Sequence, residues 1–114
     1  MKTMKVLCVE HQPRCLQALA ELLEAVGYEV VTATTGGKAL ELIREQAVAG
    51  VLLEYDLPDA TGVSIRAQMQ RITPDIPILL FSGVGYQTPI LVRFFDSYLR
   101  PSRSREHLPD TLAG

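Results

Sequence analysis

Apolar residues in this chain fall into short solid blocks, separated by stretches in which they recur every three or four positions. The block MKVLCV (Met4–Val9) is short, apolar and β-branched, which predicts a buried strand. It runs into EHQP, where Pro13 is placed for the first turn of a helix. From Pro13 to Val26, Leu16, Leu19, Leu23 and Val26 mark one helical face, and Gly27 is the stop. YEVVTA (Tyr28–Ala33) predicts a second strand, TTGG a turn, and KALELIREQ (Lys38–Gln46) a second helix with Leu40 and Ile43 inward. GVLLE (Gly50–Glu54) is apolar on successive positions, as expected of a strand covered on both faces of a parallel sheet. Gly62 opens VSIRAQMQRI, whose Ile65, Met69 and Ile72 share a helical face; TPDIP is a turn, and ILLFS (Ile78–Ser82) a fourth strand. Farther on the pattern thins. A short helix in YQTPILVRFF with Pro89 in its first turn, a fifth strand at SYL, and a tail interrupted by Pro109 are the expectations there.

Strands alternating with helices imply βαβ units joined by right-handed crossovers. The expected fold is α/β: a doubly wound, five-stranded parallel sheet in three α/β/α layers, forming one domain over residues 1–114, with no repeat or linker. Such sheets bind ligands beyond the carboxyl ends of their strands. That rule singles out Glu10 and His11 after the first strand, Glu54 after the third, Ser82 after the fourth and Arg100 after the fifth.

Composition narrows the function classes. A net charge of −2 and a pI near 5.6 argue against nucleic acid as the main partner. The one basic cluster, RPSRSR (Arg100, Arg103, Arg105), reads as a solvated helix start. No apolar run is long enough to span a membrane, and the N-terminus lacks the pattern of a signal peptide, so the cytoplasm is the expected location. Cys8 and Cys15 form neither a disulfide framework nor a metal motif, and Cys8 reads as a small core hydrophobe. There is no Gly-rich phosphate loop beyond the weak lookalike TTGGK, and no Ser-His-Asp set at strand ends. A small flavodoxin-like enzyme or ligand-binding protein is therefore an alternative with no motif behind it.

Several stretches resemble the receiver domain of two-component response regulators (CheY-like), over about residues 4 to 101. GYEVVTATTGGKALELI is similar to that family's second strand and helix, and LLEYDLPDATG to its phosphorylation loop, with Pro58 and Gly62 in the family's places. ILLFSG resembles its fourth strand with the closing hydroxyl, and YLRP its Lys-Pro end of the fifth strand. The resemblance implies a flavodoxin-like fold of strand order 2-1-3-4-5, here with shortened fourth and fifth helices, and a part in phosphorelay signalling with a histidine kinase or downstream regulator as partner.

The family's chemistry uses two carboxylates after the first strand and an acceptor aspartate after the third, with Mg²⁺, a Ser or Thr and a Lys around the phosphoryl group. Here the acceptor position holds Glu54, the acidic pair is Glu10 and His11, and the Lys position reads Arg100 or is deleted. Asp56 takes the place from which the family offers a backbone carbonyl to the metal, and Ser82 is intact. Imidazole is a poor ligand for Mg²⁺, so metal binding is expected to be absent or weakened. The implied protein is a pseudo-receiver that acts by protein contact and is no enzyme. The alternative is a receiver still binding a divalent ion and a phosphoryl group weakly at Glu54 and Glu10. For Glu54 two readings stand open: a lock with Arg100 and Ser82 that imitates the phosphorylated state, or a solvated acid. His11 either bonds Glu54 or Glu10, or faces water. The surplus apolar residues of PILVRFF point to a homodimer or a docked partner through residues 86–101.

Overall fold

The computed structural model describes residues 3–82 and 87–101. Its elements run β1 (Lys5–Val9), α1 (Pro13–Ala25), β2 (Glu29–Ala33), α2 (Gly36–Glu45), β3 (Gly50–Glu54), α3 (Gly62–Ile72), β4 (Ile78–Phe81) and α4 (Thr88–Leu99). The strands form one parallel sheet in the order β2-β1-β3-β4. Through α3 these bounds lie within two residues of those read from the apolar pattern. Pro13 opens α1, and Gly27 follows it at φ 105°, a conformation open to glycine and strained for other residues.

Solid apolar strands feed two cores because successive side chains point to opposite faces. Leu7, Val9, Val51, Leu53 and Ile78 pack against Ala39, Leu40 and Ile43 of α2 and Ile65 and Met69 of α3. Val6, Cys8, Leu52 and Phe81 pack on the other face against Leu16, Leu19 and Leu23 of α1 and Leu91, Val92 and Phe95 of α4. At roughly 1.5–3 kcal/mol for each large apolar side chain fully buried, these two layers supply the main drive for folding.

The expected fifth strand is not one. Ser97, Tyr98 and Leu99 form the last turn of α4, and the sheet has four strands among the described residues. Leu91, Val92, Phe95 and Leu99 keep one helical face inward against the α1 side. The same stretch carries Ile90, Phe94 and Tyr98 at four-residue steps on the outside, and those extra apolar positions blurred the helical period. Handedness explains where α4 sits. The α2 and α3 crossovers step across the sheet toward β4 with their helices on one face. A right-handed connection to a further strand beside β4 would put its helix on that same face. Instead α4 lies with α1 and closes the opposite face. Among the described residues, the stretch expected to hold a shortened fourth helix and the fifth strand forms one twelve-residue helix. The tail expectations, including the role of Pro109, lie outside the described residues.

Candidate functional site

Two glutamates at the carboxyl ends of neighbouring strands are as buried as the core. Glu10, just after β1, and Glu54, the last residue of β3, are each 1% exposed. The Glu10 amide donates to the Ala33 carbonyl at 3.1 Å, which extends the β1–β2 ladder by one residue and fixes where its side chain begins. One of its carboxylate oxygens, Oε2, accepts a hydrogen bond from the amide of Gln12. Gln12 is the N-cap of α1 but makes no capping bond with its own side chain, so Glu10 brings a carboxylate to the electropositive end of that helix.

The exit of β3 is held on both sides. The Tyr55 amide donates to Phe81 O at 2.7 Å, and the Gly62 amide donates to Tyr55 O at 2.6 Å. A Cβ at Gly62 would lie 2.5 Å from the Glu54 carbonyl oxygen, so α3 starts this close to the acceptor strand only because the residue is glycine. From this seat Glu54 reaches across to the loop after β1. Its Oε2 accepts from the His11 amide at 2.8 Å, and His11 Nδ1 lies 2.9 and 2.8 Å from Oε1 and Oε2. Both carboxylate oxygens are thus engaged by one residue, 43 positions away in sequence.

The electrostatics follow from this geometry. The hydrogen bond to Glu54, together with the negative charges of Glu54, Glu10 and Asp56, holds the His11 imidazole above its ordinary pKa of 6.5. Burial pushes the Glu10 carboxyl up from 4.5, and repulsion from Glu54 adds to the rise; the Gln12 amide and His11 oppose it. Glu10, His11 and Glu54 offer ligand atoms that all lie within 4.8 Å of one another.

The other expected site residues divide. Ser82 follows β4 at the same end of the sheet and is exposed. Asp56 is exposed in the β3–α3 loop, where its backbone pairs with Thr61. Arg100 is a correction. It caps the C-terminus of α4, where its Nε and terminal nitrogen bind Asp96 Oδ1 at 2.8 and 2.7 Å and that same nitrogen donates to Val26 O at 2.9 Å. Its guanidinium also stacks over Tyr28, 4.1 Å from the ring centroid. Val26 and Tyr28 precede β2, so this cluster lies at the amino-terminal end of the sheet, opposite Glu54. The lock of Glu54 by Arg100 is therefore absent. Arg100 follows α4 and not a strand, and the residue bonded to Glu54 is His11.

Sequence reasoning also missed Asp59. Its carboxylate accepts from the Gly36 and Gly37 amides, both at 2.9 Å, pinning the β3–α3 loop to the N-terminus of α2. These bonds hold its pKa below the usual carboxylate range. They also fill the helix end that TTGGK offers, which removes that stretch as a phosphate loop. The only local hint was an acid beside a helix start 22 residues away, too remote to read as a cap.

Residues 6–96 match the profile of the family described as response regulator receiver domain. The Escherichia coli K12 transcriptional regulatory protein GlrR is 27% identical over 84 residues, which cover 74% of this chain and 19% of that protein. The chain thus spans about a fifth of this relative's length. Among solved structures, the response regulator TrrA of Thermotoga maritima in complex with Mg(2+)-BeF is 25% identical with a TM-score of 0.69, covering 73% of this chain and 72% of that one. The same regulator in complex with the histidine kinase ThkA is also 25% identical with a TM-score of 0.69, over 74% and 72% of the two chains. With four-fifths of the chain inside the family match, the chain belongs to the response regulator receiver domain family of two-component signalling.

Proposed function

We propose that this is an atypical, cytoplasmic receiver that works through protein–protein contact, without conventional Mg²⁺-dependent aspartyl phosphorylation. One observation carries the reading: the acceptor position holds a buried glutamate whose two carboxylate oxygens are both occupied by His11. A phosphoryl acceptor needs a free oxygen facing the donor, and Mg²⁺ needs oxygen ligands with room for its own waters. Here the residue beside Glu10 is an imidazole pointing at the acceptor, a donor set that does not fit Mg²⁺. His11 and Glu54 form a fixed pair where the family has an exchangeable site, so the switch is held in one state. The test is incubation with acetyl phosphate and Mg²⁺ followed by intact-protein mass spectrometry. No acid-labile phosphate is expected. A phosphorylated species that disappears in Glu54→Ala would replace this reading with that of a weakened but working receiver.

The contact surface in this reading is α4. Ile90, Phe94 and Tyr98 are 48, 65 and 50% exposed and line up along its outer face. Among the described residues, β4 is paired on one side only, by β3. Exposed apolar side chains and an open strand edge each favour a protein partner, either a second copy or a kinase or downstream regulator. A light-scattering mass of two chains at tens of micromolar, reduced to one by Phe94→Glu, is the result expected for the dimer. A single-chain mass in the unsubstituted protein directs the surface to another protein.

A further inference from the structure

We propose that the outer edge of β4 is an interface with a second copy of this chain, the two β4 strands pairing antiparallel across a two-fold axis. This rests on the reading above, that the protein works through protein–protein contact, and names the partner. The ladder to β3 fixes which groups face outward. Pro77 O accepts from the Val51 amide at 2.9 Å and Phe81 O from the Tyr55 amide at 2.7 Å, so alternate residues here turn their backbone groups toward β3. Ile78 and Leu80 therefore turn theirs the other way, where no strand stands among the described residues.

Three observations select the occupant. The chain's own continuation has the wrong hand: α4 lies on the α1 face, so a strand following it would reach the place beside β4 only by a left-handed crossover. The edge is also unguarded. Ile78–Phe81 holds no charge and no proline, and Pro77 keeps its ring nitrogen on the β3 side. The opposite edge of the sheet, β2, carries the exposed Glu29, a charge that blunts it. Finally, β4 is apolar on both faces at the rim, with Leu79 partly buried against the α1–α4 core and Leu80 against the α2–α3 core. A neutral strand meets its own copy with no like charges opposed, and one copy covers both leucines. The two-fold then sets the register. Ile78 of each chain exchanges N–H···O=C bonds with Leu80 of the other, and the two Leu79 side chains meet at the axis. Two four-stranded sheets become one of eight strands.

The experiment measures mass by light scattering at tens of micromolar and amide exchange by NMR, both on the full chain. A two-chain mass is expected. Leu79→Lys and Leu79→Glu should each reduce it to one chain, and an equimolar mixture of the two variants should restore it. In the unsubstituted dimer the Ile78 and Leu80 amides should exchange at least about tenfold more slowly than after dilution to single chains. The Leu79 amide, which faces β3, should exchange alike in both. A one-chain mass overturns the inference, and so does a two-chain mass that persists in both Leu79 variants. Should those variants fail to fold, Ile78 and Leu80 amides that exchange alike in dimer and single chain overturn it. A dimer lost in Phe94→Glu but kept in both Leu79 variants assigns the contact to α4 instead. Phosphate incorporation from acetyl phosphate counts against the pseudo-receiver reading, and a one-chain mass without it removes only the pairing.

Discussion

The two ends of the sheet carry similar polar clusters with opposite purposes. At the carboxyl end, Glu54 is gripped by His11, with Glu10 beside them. At the amino end, Asp96 accepts from Tyr28 Oη at 2.6 Å and from Arg100 at 2.8 Å, and Arg100 covers the Tyr28 ring. In each, a carboxylate is held by a nitrogen base that can carry positive charge. The lower cluster joins α4 to the turn between α1 and β2, and every group in it is answered by another, so it is a clasp. The upper cluster holds two carboxylates against one imidazole and raises the pKa of both Glu10 and His11, which is a site with chemistry left over. A carboxylate–cation pair thus reads as structural or functional according to the strand end it occupies and whether its charges balance.

The sharpest way to break this contrast is at the backbone that seats Glu54. Gly62→Ala drives a methyl group against the Glu54 carbonyl oxygen and should cost about 3 kcal/mol in urea unfolding. It should also disturb the His11 resonances. Asp96→Ala attacks the other end. It strands Tyr28 Oη and Arg100 in a half-buried corner and should cost about 2 kcal/mol, while the His11 titration stays as it was. A changed His11 titration in that variant would deny that the two clusters are independent. Asp59→Ala removes the acceptor for the first amides of α2 and should cost about 1 kcal/mol.

The smallest effects are those of pH, followed in metal-free protein. A folded-state pKa raised above its unfolded value gives stability that is full below the unfolded value and lost as pH rises through the folded one. Glu10 and His11 both have this sense, so stability should fall in two stages, one beginning above about 4.5 and one above about 6.5. Asp59 has the opposite sense. Its contribution is present above its unfolded pKa of 3.8 and is lost as pH falls below that value. Glu54→Gln should remove the later stage, and Asp59→Asn should remove the loss on the acid side. A profile identical in all three proteins would show that none of these contacts is made in solution.

The repetitive part of the fold was legible because solid strands and three-and-four spacing report burial directly. Gly50–Glu54 and Pro13 were placed to the residue. Beyond Ser82 the helix with Pro89 in its first turn was read, but its end was mistaken for a strand at SYL because α4 is apolar on two faces, one for α1 and one outward. The error passed to Arg100, whose place in the site depended on a strand before it. His11 was named but left open between Glu54, Glu10 and water, since contacts across 43 residues have no local signature. Tyr28 and Asp96, 68 residues apart, gave no sign of each other.

The central claim is that His11 holds Glu54 as an ion pair, and proton NMR of the imidazole reads it most directly. The chain has two histidines, so His107→Ala leaves a single titrating ring. In metal-free protein the account predicts a His11 pKa above 6.5 that returns toward that value in Glu54→Gln. An ordinary pKa, unmoved by Glu54→Gln, would contradict it.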